Sequence, residues 1–284
     1  MDNAQGLLEQ IGLEAIEENI YRGKSHSIGG KRVFGGQVLA QALQAASLTV
    51  PEGRLAHSMH GYFILPGDVQ KPIIYNVDRI RDGGSFTTRR VVAIQNGKAI
   101  FNMSASFQIE EEGFDHQISM PNVPPPEAVR NVMELRQAHE DKLPEFLKRT
   151  LSMPRPIEFR PVEMPYFINP SKGRPFRHIW FKARGKLEEH PANHRVLLAY
   201  ASDYNLLETA LRPHGATWTQ LIAASLDHAM WFHRKFSINE WLLYALDSPS
   251  ASNARGFNRG NIFNQKGQLV ASVVQEGLIR QRRS

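Results

Sequence analysis

The amino-acid sequence predicts an α+β fold of two tandem modules, each an antiparallel sheet wrapped around one long helix. The main observation is that an apolar helix-like segment followed by several strand-like segments occurs twice along the chain. The helical segments, residues 38–48 and 194–211, lack glycine and proline and are apolar on nearly every side, as buried helices are. A proline-rich stretch separates the two passes, as a linker between modules would.

The composition is that of an ordinary globular protein. The chain has 284 residues, of which 42% are hydrophobic and 22% charged, enough for one large domain or two ordinary ones. It has no cysteine, which excludes disulfides and thiolate metal sites and fits a reducing compartment. The first twenty residues do not resemble a signal peptide, and no apolar run reaches the ~20 residues of a membrane span. We therefore expect a cytoplasmic protein without membrane insertion.

The formal charge of +6 indicates an anionic partner. The basic residues are dispersed and lack the interleaved aromatic residues of common RNA-binding motifs. A phosphorylated small molecule accounts for the same charge with fewer contacts, so nucleic acid is not the expected partner.

The first module is assigned to residues 1–110. It begins with a short amphipathic helix within the first twenty residues, and Phe34-Gly35-Gly36-Gln37 opens the long helix. An antiparallel meander follows, with a strong hairpin signal at Asn96-Gly97. Its predicted strands are residues 58–65, 73–81, 85–95 and 98–108.

Residues 111–160 are predicted to form a proline-rich linker that carries one helix. The second module is assigned to residues 161–284. It contains a strand at 177–185, the helix at 194–211 and then further strand-like segments, of which LIAASLDHAMWFH (221–233) is the first.

The repeat suggests which positions of the two modules correspond. Aligning His60 with His228 gives an offset of 228 − 60 = 168, and aligning Gly97 with Gly267 gives 267 − 97 = 170. Each module must bury its helix and one sheet face, and two sheets pairing edge to edge would form one continuous sheet. A sheet wrapped around one long apolar helix is the hotdog architecture, so we expect a double hotdog.

Several long motifs, in order along the chain, resemble the acyl-CoA thioesterase II family of double-hotdog enzymes. They include FGGQVLAQAL, LAHSMHGYFILPGD, LDHAMWFHRKF and SASNARGFNRGNIFNQKGQLVASVVQEGL. The resemblance extends from about Leu7 to Arg280. It implies hydrolysis of acyl-CoA to a carboxylic acid and CoA, without cofactor, metal or covalent intermediate. A role in fatty acid and lipid metabolism and a homo-dimer or homo-tetramer are also expected.

The resemblance also implies three catalytic residues, an acid, a hydroxyl and an amide that hold the attacking water. The matching positions are Asp203, Ser225 and Gln275, although a threonine is familiar at the middle one. Asp203 lies among apolar residues of its helix, so burial should raise the pKa of its carboxyl. By the offsets above, Ser225 and Gln275 correspond to His57 and Ala105, and the helix at 38–48 contains no acid. We therefore expect one active site per chain, carried by the second module, and a non-catalytic first module.

Three further residues are predicted to bind the substrate. Arg255 and Arg259 lie in ARGFNRG, where they could contact the phosphates of CoA, and His228 could line the pocket. Asp227, His228 and His233 do not have a recognised zinc-ligand spacing. Arg89 and Arg90 are expected to be an exposed pair on a strand.

Two other functions remain open at this point. One is a hotdog enoyl-CoA hydratase, although the close Asp/His pair of a hydratase segment is not evident. The other is a non-catalytic scaffold that binds acyl-CoA or nucleic acid.

Overall fold

The computed structural model describes residues 3–30, 32–153, 155–165, 168, 171–188, 190–216 and 220–282. In this part of the chain thirteen strands form one antiparallel sheet, in the order β1-β2-β4-β5-β6-β3-β10-β13-β12-β11-β8-β7, with β9 paired to β13. The strands are β1 Leu13–Glu17, β2 Ile20–Gly23, β3 Leu55–Phe63, β4 Ile73–Asp82, β5 Phe86–Gln95, β6 Lys98–Gln108, β7 Ile157–Pro161, β8 Phe176–Ala183, β9 Leu221–Ser225, β10 Asp227–Phe232, β11 Leu242–Ser252, β12 Arg255–Asn264 and β13 Leu269–Gln281.

Of the five described α-helices, three belong to the two modules and two lie in the segment that joins them. They are α1 Ala4–Gln10, α2 Gly35–Ser47, α3 Val132–Ala138, α4 Glu145–Ser152 and α5 Pro191–Ser202. α2 and α5 pack against each other, and each is buried along most of its length. None of the described helices is both long and apolar enough to cross a membrane.

The double hotdog predicted from the sequence is confirmed. β3 of the first module pairs with β10 of the second, which joins two sheets into one. The long helix of each module belongs to one continuous apolar core, in which Leu39, Leu43, Leu197 and Leu198 are fully buried. Burial of apolar side chains, worth ~25 cal/mol per Å² removed from water, stabilises the packing of these two helices.

The strand pairs correct the predicted repeat register by one residue. His60 pairs with Ser104 in the first module, and Ala229 pairs with Val274 in the second. The offsets are therefore 229 − 60 = 169 and 274 − 104 = 170. A one-residue slip exchanges the two faces of a strand, which is why His60 is exposed while His228 is buried.

With this register Ser225 corresponds to Ala56 rather than to His57. Ala56 pairs with Phe107 as Ser225 pairs with Gly277, at the same offsets of 169 (225 − 56) and 170 (277 − 107). The predicted correspondence of Gln275 with Ala105 holds (275 − 105 = 170), and both side chains are buried.

The helix predicted over 194–211 is shorter than expected. α5 ends at Ser202 with Asp203 as its C-cap, and the chain turns at Asn205, whose φ is 66°. Asparagine tolerates this left-handed conformation better than most residues, so it can end the helix here. A 3₁₀ helix over Leu207–His214 then follows.

Three other predicted segments are divided differently. The first twenty residues contain α1 and then β1, which forms a hairpin with β2 that turns at Asn19, whose φ is 60°. The segment 221–233 breaks at Leu226 into β9 and β10. The linker carries two helices, α3 and α4, rather than one.

β7 pairs with β8, so the sheet of the second module begins at Ile157 and not after residue 160.

The Arg89–Arg90 pair is also not uniformly exposed. Arg90 lies at the surface beside Asp78, but Arg89 is only 1% exposed. Its guanidinium donates to the side chain and carbonyl of Thr49 and to Asp82. These bonds tie the end of α2 to the sheet.

Candidate active site

Asp203 lies where the C-terminal end of α5 meets the N-terminal end of α2. Its Oδ2 accepts a hydrogen bond from the backbone N–H of Gly36 at 2.8 Å. Its Oδ1 accepts one from Nε2 of Gln275, also at 2.8 Å. The carboxylate is therefore held by donors from both modules.

The close approach of the two helix ends depends on glycine in the first turn of α2. A Cβ at Gly36 would lie 2.4 Å from the carbonyl oxygen of Tyr200, and one at Gly35 would lie 2.7 Å from Oδ2 of Asp203. The N-cap residue, Phe34, provides no side-chain cap, so Asp203 takes that role from the other module. The Phe34 ring packs on those of Tyr200 and Tyr204, with centroids 5.2 and 4.5 Å away.

Gln275 reaches Asp203 from the buried face of β13. Its side chain is fully buried, and Nε2 also contacts Nδ1 of His228 at 3.2 Å. Among the described residues, Oε1 of Gln275 has no hydrogen-bond partner. Since a buried polar atom without a partner is costly, Oε1 is a strong candidate to accept a hydrogen bond from bound water or substrate.

Ser225 is the last residue of β9, just before the break at Leu226. Together with Gly35 it lines a cavity of about 270 Å³, and these two lining residues lie next to the Asp203 carboxylate. Most of the remaining lining is apolar and includes Val33, Val38, Ile64, Leu65, Ile100 and Phe101. Among the described residues that line the cavity, Arg32 is the one with a charged side chain.

Burial and hydrogen bonding have opposite effects on the Asp203 carboxyl. Burial disfavours the ionised form and raises its pKa above the usual value of 3.8. Hydrogen bonds from Gln275, the Gly36 N–H and the Ser225 side chain favour the carboxylate and lower the pKa, but burial has the larger effect. The result is a stronger base than an exposed aspartate, as predicted from its apolar neighbours.

Arg255 and Arg259, which are predicted to contact the phosphates of CoA, lie beside acidic side chains of the second module, and their contact with CoA stays a prediction. Side chains alternate along a strand, and Asn258 of β12 is fully buried, so Arg259 points to the solvent face. Arg255 donates to Glu276 and Arg259 to Asp247. Both arginines thus pair with acids on the outer surface.

His228 is close to the site but does not line the pocket as predicted. It is fully buried, with Nε2 3.0 Å from Oγ of Ser202 and Nδ1 facing Gln275. The amide of Gln275 thus links His228 to Asp203, and no direct hydrogen bond joins the imidazole to the carboxylate in the described structure. In the described part of the chain, no three His, Asp or Glu side chains are grouped as a metal ion would require.

Sequence reasoning did not identify Gly36 or Ser202 as site residues. The FGGQ motif marks the start of a helix without a capping side chain, and that was the available signal for Gly36. Ser202 gives no comparable signal, because its contact with His228 depends on where α5 ends.

Comparison with known proteins identifies the family. Residues 22–108 match the family model described as acyl-CoA thioesterase N-terminal domain, and residues 152–278 match the one described as acyl-CoA thioesterase. The chain is 43% identical to acyl-CoA thioesterase 2 of Haemophilus influenzae, covering 98% of each protein. It is 39% identical to acyl-coenzyme A thioesterase 8 of Homo sapiens, covering 95% of this chain and 87% of the human protein.

A solved structure is also similar over nearly the whole chain. The crystal structure of an acyl-CoA thioesterase II from Mycobacterium marinum superposes with a TM-score of 0.80 at 41% identity, covering 97% of this chain and 98% of that one. Fold, full-length identity and both family models agree: the chain belongs to the acyl-CoA thioesterase II family of thioester hydrolases.

Proposed function

We propose that this protein hydrolyses acyl-CoA thioesters to a free carboxylic acid and CoA, by attack of a water molecule that Asp203 deprotonates. The observation that supports this most strongly is the position of the Asp203 carboxylate. It lies beside an apolar cavity, carries two hydrogen bonds of 2.8 Å, and has a pKa raised by burial. A carboxylate in this setting is suited to general-base catalysis.

Each polar group of the site has a distinct proposed role. Asp203 accepts the proton of the water, while Ser225 and the free Oε1 of Gln275 orient it. The N-terminal end of α2, whose Gly36 N–H already contacts Asp203, stabilises the negative charge that develops on the thioester oxygen. The thiolate of CoA is a good leaving group, so hydrolysis needs little assistance at sulfur.

The apolar cavity beside Ser225 is the proposed site for the acyl chain. Its aliphatic and aromatic lining would exclude water from the chain and orient the thioester carbonyl towards Asp203. Most of that lining comes from residues 32–101 of the first module. In this proposal the first module binds the acyl chain and the second carries the catalytic side chains.

Release of free thiol from a saturated acyl-CoA tests the activity. A saturated chain has no double bond to hydrate, so release of CoA supports hydrolysis over the hydratase alternative. Absence of CoA release under saturating substrate would contradict the proposal, and binding without turnover would favour the scaffold alternative.

The Asp203→Asn variant tests the mechanism. It should lose about 10²–10⁴-fold in kcat, the usual contribution of a positioned general base, while still binding acyl-CoA. Asp227→Asn is a matched control, because Asp227 accepts from the N–H of Glu276 and does not contact Asp203. Wild-type turnover by Asp203→Asn would rule out Asp203 as the base.

The absence of a covalent intermediate is tested in the first turnover. Direct attack by water releases CoA and free acid in equal amounts at all times after rapid mixing and acid quench. A burst of CoA ahead of free acid would instead indicate an acyl-enzyme.

Assembly and location are part of the same proposal. A homo-dimer or homo-tetramer in the cytoplasm is expected, and the oligomer is measured by size-exclusion chromatography with light scattering. A single species of 32.2 kDa would contradict the expected oligomer.

A further inference from the structure

Within the described residues no direct hydrogen bond joins His228 to Asp203, but a directed series of hydrogen bonds runs from His228 through Gln275 to the Asp203 carboxylate. Nε2 of Gln275 carries only hydrogens, so Nδ1 of His228 must accept from it, and the imidazole hydrogen lies on Nε2. That hydrogen is donated to Oγ of Ser202, whose own hydroxyl donates to the carbonyl of Ala199 at 2.9 Å. In this direction each nitrogen of the imidazole has one partner, an N–H donor at Nδ1 and a hydroxyl acceptor at Nε2.

The series of hydrogen bonds ends, on the side away from Asp203, at Ser202 in the last turn of α5. Ser202 is fully buried, and its carbonyl oxygen accepts from the hydroxyl of Tyr244 at 3.0 Å. Tyr244 is itself only 1% exposed. The tautomer of His228 is therefore set by fully buried hydrogen-bond partners rather than by solvent.

Asp203 and His228 together determine the orientation of the Gln275 amide. Its two amide hydrogens go to Oδ1 of Asp203 and Nδ1 of His228, which leaves Oε1 free to accept from water. While Asp203 is ionised, the carboxylate alone would favour this orientation. Once Asp203 has taken the proton of the water, it can donate to Oε1, and the amide could rotate by half a turn.

We propose that His228 is a positioning residue that keeps the Gln275 amide in one orientation through both protonation states of Asp203. A rotated amide would direct Oε1 at Nδ1 of His228, bringing two acceptors together, so the rotation is disfavoured while the imidazole keeps its present tautomer. This inference rests on the proposed role of Asp203 as the general base.

Replacing His228 by Asn or by Gln tests the roles of its two ring nitrogens one at a time. The Oδ1 of Asn can replace Nδ1 and still accept from Gln275, whereas the amide of Gln reaches the position of Nε2 and can donate only to Ser202. H228N should therefore retain most of the wild-type kcat. H228Q should lose about 10–100-fold in kcat, as is typical when the partner that orients a functional side chain is removed, with little change in KM.

A double substitution shows whether the effect acts through Gln275. In a Q275M background the amide is gone, so adding H228Q should lower kcat no further. The same loss in both backgrounds would overturn the proposal, as would equal kcat values for H228N and H228Q. Thermal unfolding is measured for every variant, and H228M, which also removes the acceptor, replaces H228Q if the latter does not fold.

The D203N variant distinguishes failure of this inference from failure of the proposed function. Wild-type turnover by D203N would remove the basis of both. If D203N is inactive and H228N and H228Q turn over equally, only the role of His228 is wrong.

Discussion

The backbone N–H of Gly36 and the carboxylate of Asp203 form a 2.8 Å hydrogen bond across 167 positions of the chain. This bond joins the start of the long helix in one module to the end of the long helix in the other. All the proposed catalytic side chains belong to the second module, but the site is complete only when the first module supplies this donor. Single-module versions of the chain should therefore be inactive.

Gly36→Ala should damage both stability and activity. The new Cβ would lie 2.4 Å from the carbonyl oxygen of Tyr200, which is backbone and can move only if α5 moves. Overpacking of this kind costs about 1–3 kcal/mol of unfolding free energy. Because the shift also breaks the contact with Asp203, kcat should fall by at least about 10-fold, as for loss of an active-site donor.

Gly84→Ala is the control for that substitution. No atom lies within 4 Å of a Cβ at Gly84, so its unfolding free energy and kcat should stay near wild type. Denaturant unfolding and thiol-release assays measure the two quantities. Normal activity in Gly36→Ala would mean that the contact of Gly36 with Asp203 is not needed for turnover.

The pH dependence of kcat/KM should report the raised pKa of Asp203. The carboxyl must be ionised to accept a proton, so activity falls as pH decreases through its pKa, and burial places that midpoint above 3.8. Gln275→Met removes a donor that favours the carboxylate, so the midpoint should move to higher pH. An acid limb at or below 3.8 in the wild-type enzyme, or a downward shift in Gln275→Met, would contradict this.

His228 should make the folded protein sensitive to acid. Burial lowers the pKa of His228 to about 3 from the usual 6.5, so below pH 6.5 the unfolded chain binds a proton that the folded protein does not. The stability is present above pH 6.5 and decreases as pH falls towards about 3, by up to about 1.4 kcal/mol per pH unit. This contribution should be absent from His228→Asn.

The comparison is made by urea unfolding of wild type and His228→Asn between pH 4 and 8. Burial also lowers the pKa values of His26, His57 and His233, so both proteins lose stability in acid, and the difference between the slopes is the quantity that matters. Parallel curves would show that His228 is not held neutral in the folded state.

Ala223→Phe should shift the acyl-chain preference towards shorter chains. Ala223 lines the apolar cavity and lies two residues before Ser225, on the same side of β9. A phenyl ring there would fill space that a long acyl chain needs. The ratio of kcat/KM for long and short saturated acyl-CoA substrates measures the effect.

Ile222→Phe is the matched control for the cavity substitution. Ile222 is the preceding residue of the same strand, 45% exposed, and points to the other side. It should leave the chain-length ratio unchanged. If Ala223→Phe leaves the ratio unchanged as well, the acyl chain does not occupy this cavity.

Much of the fold could be predicted because its signals are local. Helix α2, strands β4 to β6 and the hairpin at Asn96-Gly97 lie within a few residues of their predicted positions. In that hairpin both turn residues have positive φ, 53° and 72°, which the Asn-Gly pair accepts at little cost. The motif resemblance also predicts that Asp203 and Gln275 act together, and the two side chains are joined by a hydrogen bond.

The strand register and the face that each side chain occupies could not be predicted from the motifs. His60 and His228 share a residue type but point to opposite faces, and Arg259 lies on the face opposite its buried neighbour Asn258. In a strand successive side chains alternate, so a motif alone does not tell which face a residue occupies.

By itself the sequence determined the two-module order and the apolar helices, and its motifs pointed to Asp203, Ser225 and Gln275 as the proposed catalytic residues. Only the tertiary structure decided that α5 ends at Ser202, that the Asp203 carboxylate accepts from the N–H of Gly36, and that His228 faces Gln275 rather than solvent. The physical reason is that apolar periodicity and turn propensity act over a few residues and can be seen in the sequence. Hydrogen bonds such as Gln275–Asp203 instead join groups 72 positions apart, and they form only after the two helices and the sheet have packed.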